Sequence, residues 1–130
     1  MISKEVHMLP QEILDAWADR QPAAVLTTVS EEGIPNSIWV MSTGLYRDEQ
    51  IIIADNYFDK TKANLLSTGV ASLLFITREG KSYQLKGTIS YHTDGPFYAF
   101  MREVTPPKFP RHAAAVLHVG EIYSGSERLL

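Results

Sequence analysis

The residues of this chain best suited to chemistry lie together in one segment, Ala54-Asp55-Asn56-Tyr57-Phe58-Asp59-Lys60-Thr61-Lys62. An apolar run, Ile51-Ile52-Ile53, comes just before it and reads as a buried strand, and a helix is expected to start at about Lys60. The first N–H groups of a helix have no intrahelical partner and carry a partial positive charge, so they favour an anion. Lys60 and Lys62 add two cationic groups, and Thr61 adds a hydroxyl donor. A phosphate monoester is the ligand this combination would serve, with Asn56, Tyr57 and Phe58 placed to meet the edge or face of a flat ring. The same residues also fit an ordinary helix start, with Asp59 as the cap and both lysines in water.

Other chemistries lack their signatures. The chain has no GxGxxG, no P-loop and no GxSxG nucleophile turn. Its four histidines, His7, His92, His112 and His118, show neither i, i+4 pairing nor an HxH pattern, so a structural role is expected for each and no metal site. Glu31-Glu32 falls in a solvated turn. With no cysteine, a disulfide scaffold, a zinc ribbon, an iron–sulfur cluster and a thiol nucleophile all drop out.

The elements that must position the segment follow from periodicity. Gln11 to Arg20 reads as an amphipathic helix with Ile13, Leu14 and Trp17 on one face and Pro10 at its start. Val25 to Ser30 alternates as a strand up to the turn Glu31-Glu32-Gly33, and Pro35 opens a second extended run over Ser37 to Thr43. Gly44 to Gln50 reads as a polar connection, and Ile51 to Ile53 as the third strand. A helix from about Lys60 to Ser67 stops at Gly69. Val70 to Thr77, apolar almost throughout, is expected to be covered on both faces. After Arg78-Glu79-Gly80-Lys81, the residues Tyr83, Leu85, Ile89 and Tyr91 alternate with polar ones. A second helix, Pro96 to Glu103, takes Thr93 or Asp94 as N-cap and ends at Pro106-Pro107. The last strand, Ala113 to Tyr123, would send Leu117 and Val119 to one side and Val116, His118 and Ile122 to the other. Six strands with sparse helices predict a mainly β domain over residues 1–130, a small antiparallel barrel closed or nearly so.

The segment resembles the phosphate-binding loop of the pyridoxamine 5′-phosphate oxidase-like family of FMN-binding split barrels. In those oxidases an Asn-Tyr pair after a strand leads into a Ser-Arg-Lys-type cluster that holds the FMN phosphate. Here Asn56-Tyr57 matches, Lys60 stands at the arginine position, Thr61 at the lysine position, and Asp59 replaces the serine. The similarity is closer to the small bacterial FMN-binding proteins of the superfamily. Their Lys-Thr-x-Ala-Asn run is present as Lys60-Thr61-Lys62-Ala63-Asn64, and their Thr-Asp-Gly-Pro as Thr93-Asp94-Gly95-Pro96. Their final-strand run is matched by Ala113-Ala114-Ala115-Val116-Leu117, so the likeness extends from about Gln11 to the end of the strands.

That resemblance implies a six-stranded antiparallel split β-barrel with short flanking helices, binding FMN without a covalent bond. Trp39, Val40 and Met41 would run under the isoalloxazine, largely through backbone groups, although barrel core is the other reading of Trp39 and Met41. Ala54, Asp55, Asn56 and Tyr57 would follow the ring's polar edge, with a dimer contact as the alternative for Tyr57. Lys60 and Thr61 would take the phosphate. Family members are homodimers with FMN at the interface, so a partner should supply a cover, with Phe109 as the candidate; Ser82 stands where the oxidases place a glutamine from the second subunit. The chain is shorter than the oxidases at its C-terminal side, so vitamin B6 oxidation is not expected. A flavin reductase-like enzyme, a non-catalytic FMN carrier or electron-transfer partner, and a barrel for haem or another flat ligand remain as alternatives, with the electron donor and acceptor unnamed.

Composition bounds the partners. Lys and Arg number 12 against 15 Asp and Glu, a net charge of -3, where duplex binding calls for a basic face, so no nucleic acid is expected. Lys4, Glu5 and His7 stand where a signal peptide would need a basic and then an apolar stretch, and no window reaches the ~18 apolar residues of a membrane span. The zero cysteine count fits a reducing cytoplasm.

Overall fold

Among the described residues the chain forms eight strands, and three short helices pack on the sheet they form. Side chains alternate inward and outward over Ala24–Val29, Val70–Ile76 and Ser82–His92, whereas Gln50–Asp55 is buried on both faces. The computed structural model describes residues 8–130, so Lys4, Glu5 and His7 lie outside the described residues. In chain order the elements are α1 (Gln11–Ala18), β1 (Ala24–Val29), β2 (Pro35–Val40), β3 (Thr43–Tyr46), β4 (Gln50–Asp55), α2 (Lys60–Ser67), β5 (Val70–Ile76), β6 (Ser82–His92), α3 (Gly95–Val104), β7 (Ala113–Ser124) and β8 (Glu127–Arg128). The order across the sheet is β2-β1-β5-β6-β7-β4-β3, antiparallel at every step, with β8 paired to β7. The sheet curls into the expected mainly β split barrel.

Three expectations change. The strands number eight and not six, because Thr43–Tyr46 is a strand and a short β8 follows β7. The hairpin from β3 to β4 turns through Arg47 and Asp48 at φ 53 and 60, left-handed positions that Gly or Asn would have advertised. Second, β5 is covered on one face, not two. Ala71, Leu73 and Phe75 are buried, whereas Val70 and Leu74 are each 43% exposed, Val70 beside an open groove of about 510 Å³ lined mainly by β1, β5 and β6.

Third, Ile122 joins Leu117 and Val119 inside the barrel and not Val116 on the other face. The pairing steps from Lys86↔Glu121 to Gly87↔Val119, so Gly120 is an inserted residue, and a one-residue insertion reverses which face the later side chains take. Gly87 makes the bulge possible. A Cβ there would lie 1.9 Å from the carbonyl oxygen of His118, so no other residue fits without moving backbone.

The main core fills the barrel with Leu26, Leu73, Phe75, Leu85, Leu117 and Ile122, and α1 closes one mouth with Ile13 and Trp17. Trp17 meets Phe75 edge-on at 5.1 Å between ring centres. Glu12 fixes that helix by accepting from Tyr83 Oη at 2.8 Å and Lys81 Nζ at 3.1 Å, bonds that hold its carboxyl below the usual range. On the opposite face of β4 and β7, Ala54, Ala114 and Val116 present small side chains, and α3 settles on them through Met101, Phe97 and Phe100.

Under the N-terminal turn of α3, Ser90 Oγ bridges two imidazoles, 2.7 Å from His92 Nε2 and 2.8 Å from His118 Nε2. The Phe97 ring packs 5.0 Å from His92 and 6.3 Å from His118. Burial first, and the neighbouring His92 second, lower the proton affinity of His118 below that of an ordinary histidine. A group that is harder to protonate folded than unfolded contributes stability that is complete above the unfolded value, about 6.5, and declines as pH falls through the folded one. The urea midpoint should therefore fall as pH is lowered from 8 through about 6.5 to 5, and His118→Gln should flatten that decline; an unchanged pH profile in the variant would assign the effect elsewhere.

Candidate functional site

Where β2 passes into β3 the sheet turns a corner and leaves a cleft of about 520 Å³. Its first wall is the end of β2 and the turn beyond it, including Trp39, Val40 and Met41. The second is the end of β4 and the following loop, Ala54 and Asn56 to Phe58. The third is the end of α3 at Val104 and the segment after it, with Pro106 and Phe109. Thus Trp39, Val40, Met41, Ala54, Asn56, Tyr57 and Phe109 converge on one cleft from positions far apart in the chain.

Their surroundings differ. Trp39 is 73% exposed, Met41 66% and Tyr57 76%, so Trp39 and Met41 are not barrel core. Val40 is buried in the core and lines the cleft's edge. β2 is an edge strand, whose outer N–H and C=O groups find no ladder partner. Phe109 lines the cleft of its own chain, a placement that differs from the expected cover supplied by a partner. Apart from the Tyr57 phenol, no described lining side chain is ionisable, and no described histidine lines the cleft.

The loop between β4 and α2 is tied down by two consecutive side chains. Asn56 Nδ2 donates to Ser42 Oγ at 3.1 Å, and its Oδ1 accepts the Arg111 N–H at 3.0 Å. The amide therefore joins all three walls of the cleft and acts as a clamp. Asp55 lies outside the cleft. Its carboxylate, on a residue 2% exposed, accepts the Phe58 N–H at 3.0 Å and the Tyr91 hydroxyl, while its carbonyl accepts the His112 N–H at 2.9 Å.

Helix α2 begins beside β2. Asp59 occupies its N-cap position but makes no side-chain capping bond, so the first-turn N–H donors keep their capacity for an anion. Lys60 is exposed and forms no ion pair among the described residues. Thr61 is 1% exposed and accepts from Asn36 Nδ2 at 3.1 Å, which leaves the hydroxyl proton for another acceptor. One turn on, buried Asn64 donates to Thr28 Oγ1 at 3.0 Å. The Lys-Thr-x-Ala-Asn run thus has a structural cause, since Thr61 and Asn64 share the face that pins α2 to β2 and β1. Asn36, Ser42, Tyr91 and Arg111 were not foreseen. Asn36 had a signal: it alternates with the inward Ile38 and Val40, a polar residue in an apolar register.

Comparison with known proteins agrees with the fold. The family model described as pyridoxamine 5′-phosphate oxidase matches residues 9–124. Uncharacterized protein MJ0282 of Methanocaldococcus jannaschii is 29% identical over 104 residues, 76% of this chain and 70% of that one. HupZ of Group A Streptococcus superposes with a TM-score of 0.77 at 25% identity, over 95% of this chain and 99% of its own. An FMN-binding protein from Syntrophomonas wolfei does so at 0.75 with 23% identity, over 92% and 89%.

The clamp makes a direct prediction. Asn56→Ala deletes both bonds and strands the Arg111 N–H and the Ser42 hydroxyl, so stability measured by urea unfolding should drop by about 1–3 kcal/mol. A loss below about 0.5 kcal/mol, the level of an ordinary surface change, would show that the walls are held by something else.

Proposed function

This chain belongs to the pyridoxamine 5′-phosphate oxidase family, and on that premise we propose that it binds FMN without a covalent bond in the β2–β3 corner cleft and serves as a redox protein through it. The observation that carries the reading is the junction of a largely apolar cleft with an uncapped helix N-terminus bearing Lys60, joined through β2. When bound, FMN supplies the hydride or electron transfer itself, and the protein supplies binding, orientation and electrostatics.

Each group then has a task. Lys60, the free N–H groups of the first turn and the Thr61 hydroxyl proton meet the phosphate, with Asn36 fixing the Thr61 rotor. Phe58, Val104, Pro106 and Phe109 form dry walls for the ring. The free backbone edge of Trp39 to Met41 answers its polar rim, and Asn56 holds the walls at a fixed separation. A lining with no carboxylate, imidazole or ammonium among the described residues suits a cofactor that needs no general acid or base from the protein. Among the described residues it also offers a haem iron no histidine.

The protein works as a homodimer in this proposal. Trp39, Met41 and Tyr57 are large, apolar and exposed around one opening, a patch of the kind that marks a partner surface. A second copy laid over them would cover the outer face of the ring.

Three measurements test the assignment. The purified protein should be yellow, and added FMN should lose fluorescence on binding; a colourless protein that leaves FMN fluorescence unchanged would refute the cofactor. Anaerobic NADH or NADPH then separates the roles, since bleaching supports a reductase and persistent colour a carrier. Lys60→Ala should weaken FMN at least about tenfold, the worth of one charge-assisted hydrogen bond, and riboflavin hardly at all. Equal loss for both ligands would move the phosphate elsewhere.

A further inference from the structure

The loop Asn56 to Phe58 is a partition. It has the cleft on one side and, behind it, a second cavity of about 540 Å³ whose lining includes Asp55, Tyr91, Lys62, Thr93 and His112. Asp55 is the buried group at the root of this partition, and it forms no ion pair among the described residues. A buried carboxylate without a cation is costly unless hydrogen bonds replace its water. Those bonds are in place, and they come from two directions. One Asp55 oxygen holds the Phe58 N–H and so closes the turn on itself; the other holds the Tyr91 hydroxyl and so fastens that turn to β6.

We propose that Asp55 and Tyr91 form a positioning pair that sets the loop Asn56–Phe58 at the height where Tyr57 and Phe58 meet the ring. The role rests on the flavin reading of the cleft and extends it to two residues that do not line the cleft. Tyr91 stands near the end of β6, beyond its pairing with β5, where the strand is held to β7 opposite Ala115, and makes a post on the sheet. Burial first, and the Asp55 bond and charge after it, raise the proton affinity of its phenol, so the hydroxyl remains a donor throughout the physiological range. Lys62, with Nζ 5.6 Å from the Tyr91 ring centre, covers the outer face of that post.

Three variants separate positioning from packing. Tyr91→Phe keeps the ring and removes the bond to Asp55. Asp55→Ala removes both bonds. Asp55→Asn keeps an oxygen for the Phe58 N–H and an amide that donates to the Tyr91 oxygen. Hydrogen exchange of the loop amides in the flavin-free protein should speed up about tenfold or more in Tyr91→Phe and Asp55→Ala, as expected for the loss of about one buried hydrogen bond, and stay near wild type in Asp55→Asn. Titration with FMN and riboflavin should show both ligands weakened together, by about tenfold, in the first two variants and rescued in the third.

This parallel loss is the signature of a ring-side fault, in contrast to the FMN-selective loss expected at Lys60. Loop amides that exchange as slowly as wild type in Tyr91→Phe and Asp55→Ala would overturn the pair, and so would flavin affinities that do not move. A wild-type protein that binds neither flavin would overturn the cofactor role together with the flavin reading, and the wild-type titration alone distinguishes that failure from the failure of the pair.

Discussion

Two residues, Met41 and Ser42, are all that separates the opposite ends of a seven-strand ladder, and that short link governs the rest of the molecule. Laid flat, seven strands at about 4.8 Å spacing would put β2 and β3 roughly 29 Å apart. The chain from Val40 to Thr43 reaches about 10 Å at full stretch. The sheet must curl until its first and last strands stand side by side, and the curl wraps the main core. The link is not idle backbone, since the Ser42 carbonyl accepts the Ala54 N–H at 2.9 Å and so ties the seam to β4. The cleft is the gap this closure leaves at its corner.

A corner in a curled sheet cannot be lined by regular strand alone, and irregular backbone needs partners for its polar groups. The loop after β4 and the segment after α3 supply two of the three walls, and the amide of Asn56 provides partners in both directions. Arg111, at φ 52, shows how tightly that second segment is constrained, because a non-glycine residue adopts this conformation at some cost. Its N–H is the one Asn56 receives. A local strain and a side-chain hydrogen bond thus support each other, and a proposed binding wall depends on both.

The elements that periodicity controls were legible in the sequence: the start of α2 at Lys60, the alternation in β6 and the amphipathic α1. The short motifs lie at the corner that holds the cleft because they carry local anchoring residues, as Thr61 and Asn64 do on one face of α2. What escaped was set by contacts distant in sequence. The third strand lay hidden behind a left-handed turn made by Arg47 and Asp48. The orientation of Ile122 depended on an inserted Gly120 whose effect appears only against β6. Asp55 read as a cleft residue because its neighbours Ala54 and Asn56 line the cleft, but a phenol 36 residues further on holds its carboxylate behind the loop. Phe109 looked like a partner's cover because its return across the chain's own cleft is decided by the path after α3.

Charge follows the same geometry. The cationic Lys60 stands at the surface beside helix N–H groups, and the anionic Asp55 sits behind the partition, so the cleft between them stays free of formal charge. A neutral ring needs that neutrality, and a phosphate needs a cation where water can still reach it during entry. The net charge of -3 is therefore no obstacle to an anionic ligand, because in the proposed site affinity comes from a local arrangement of donors and not from the field of the whole protein.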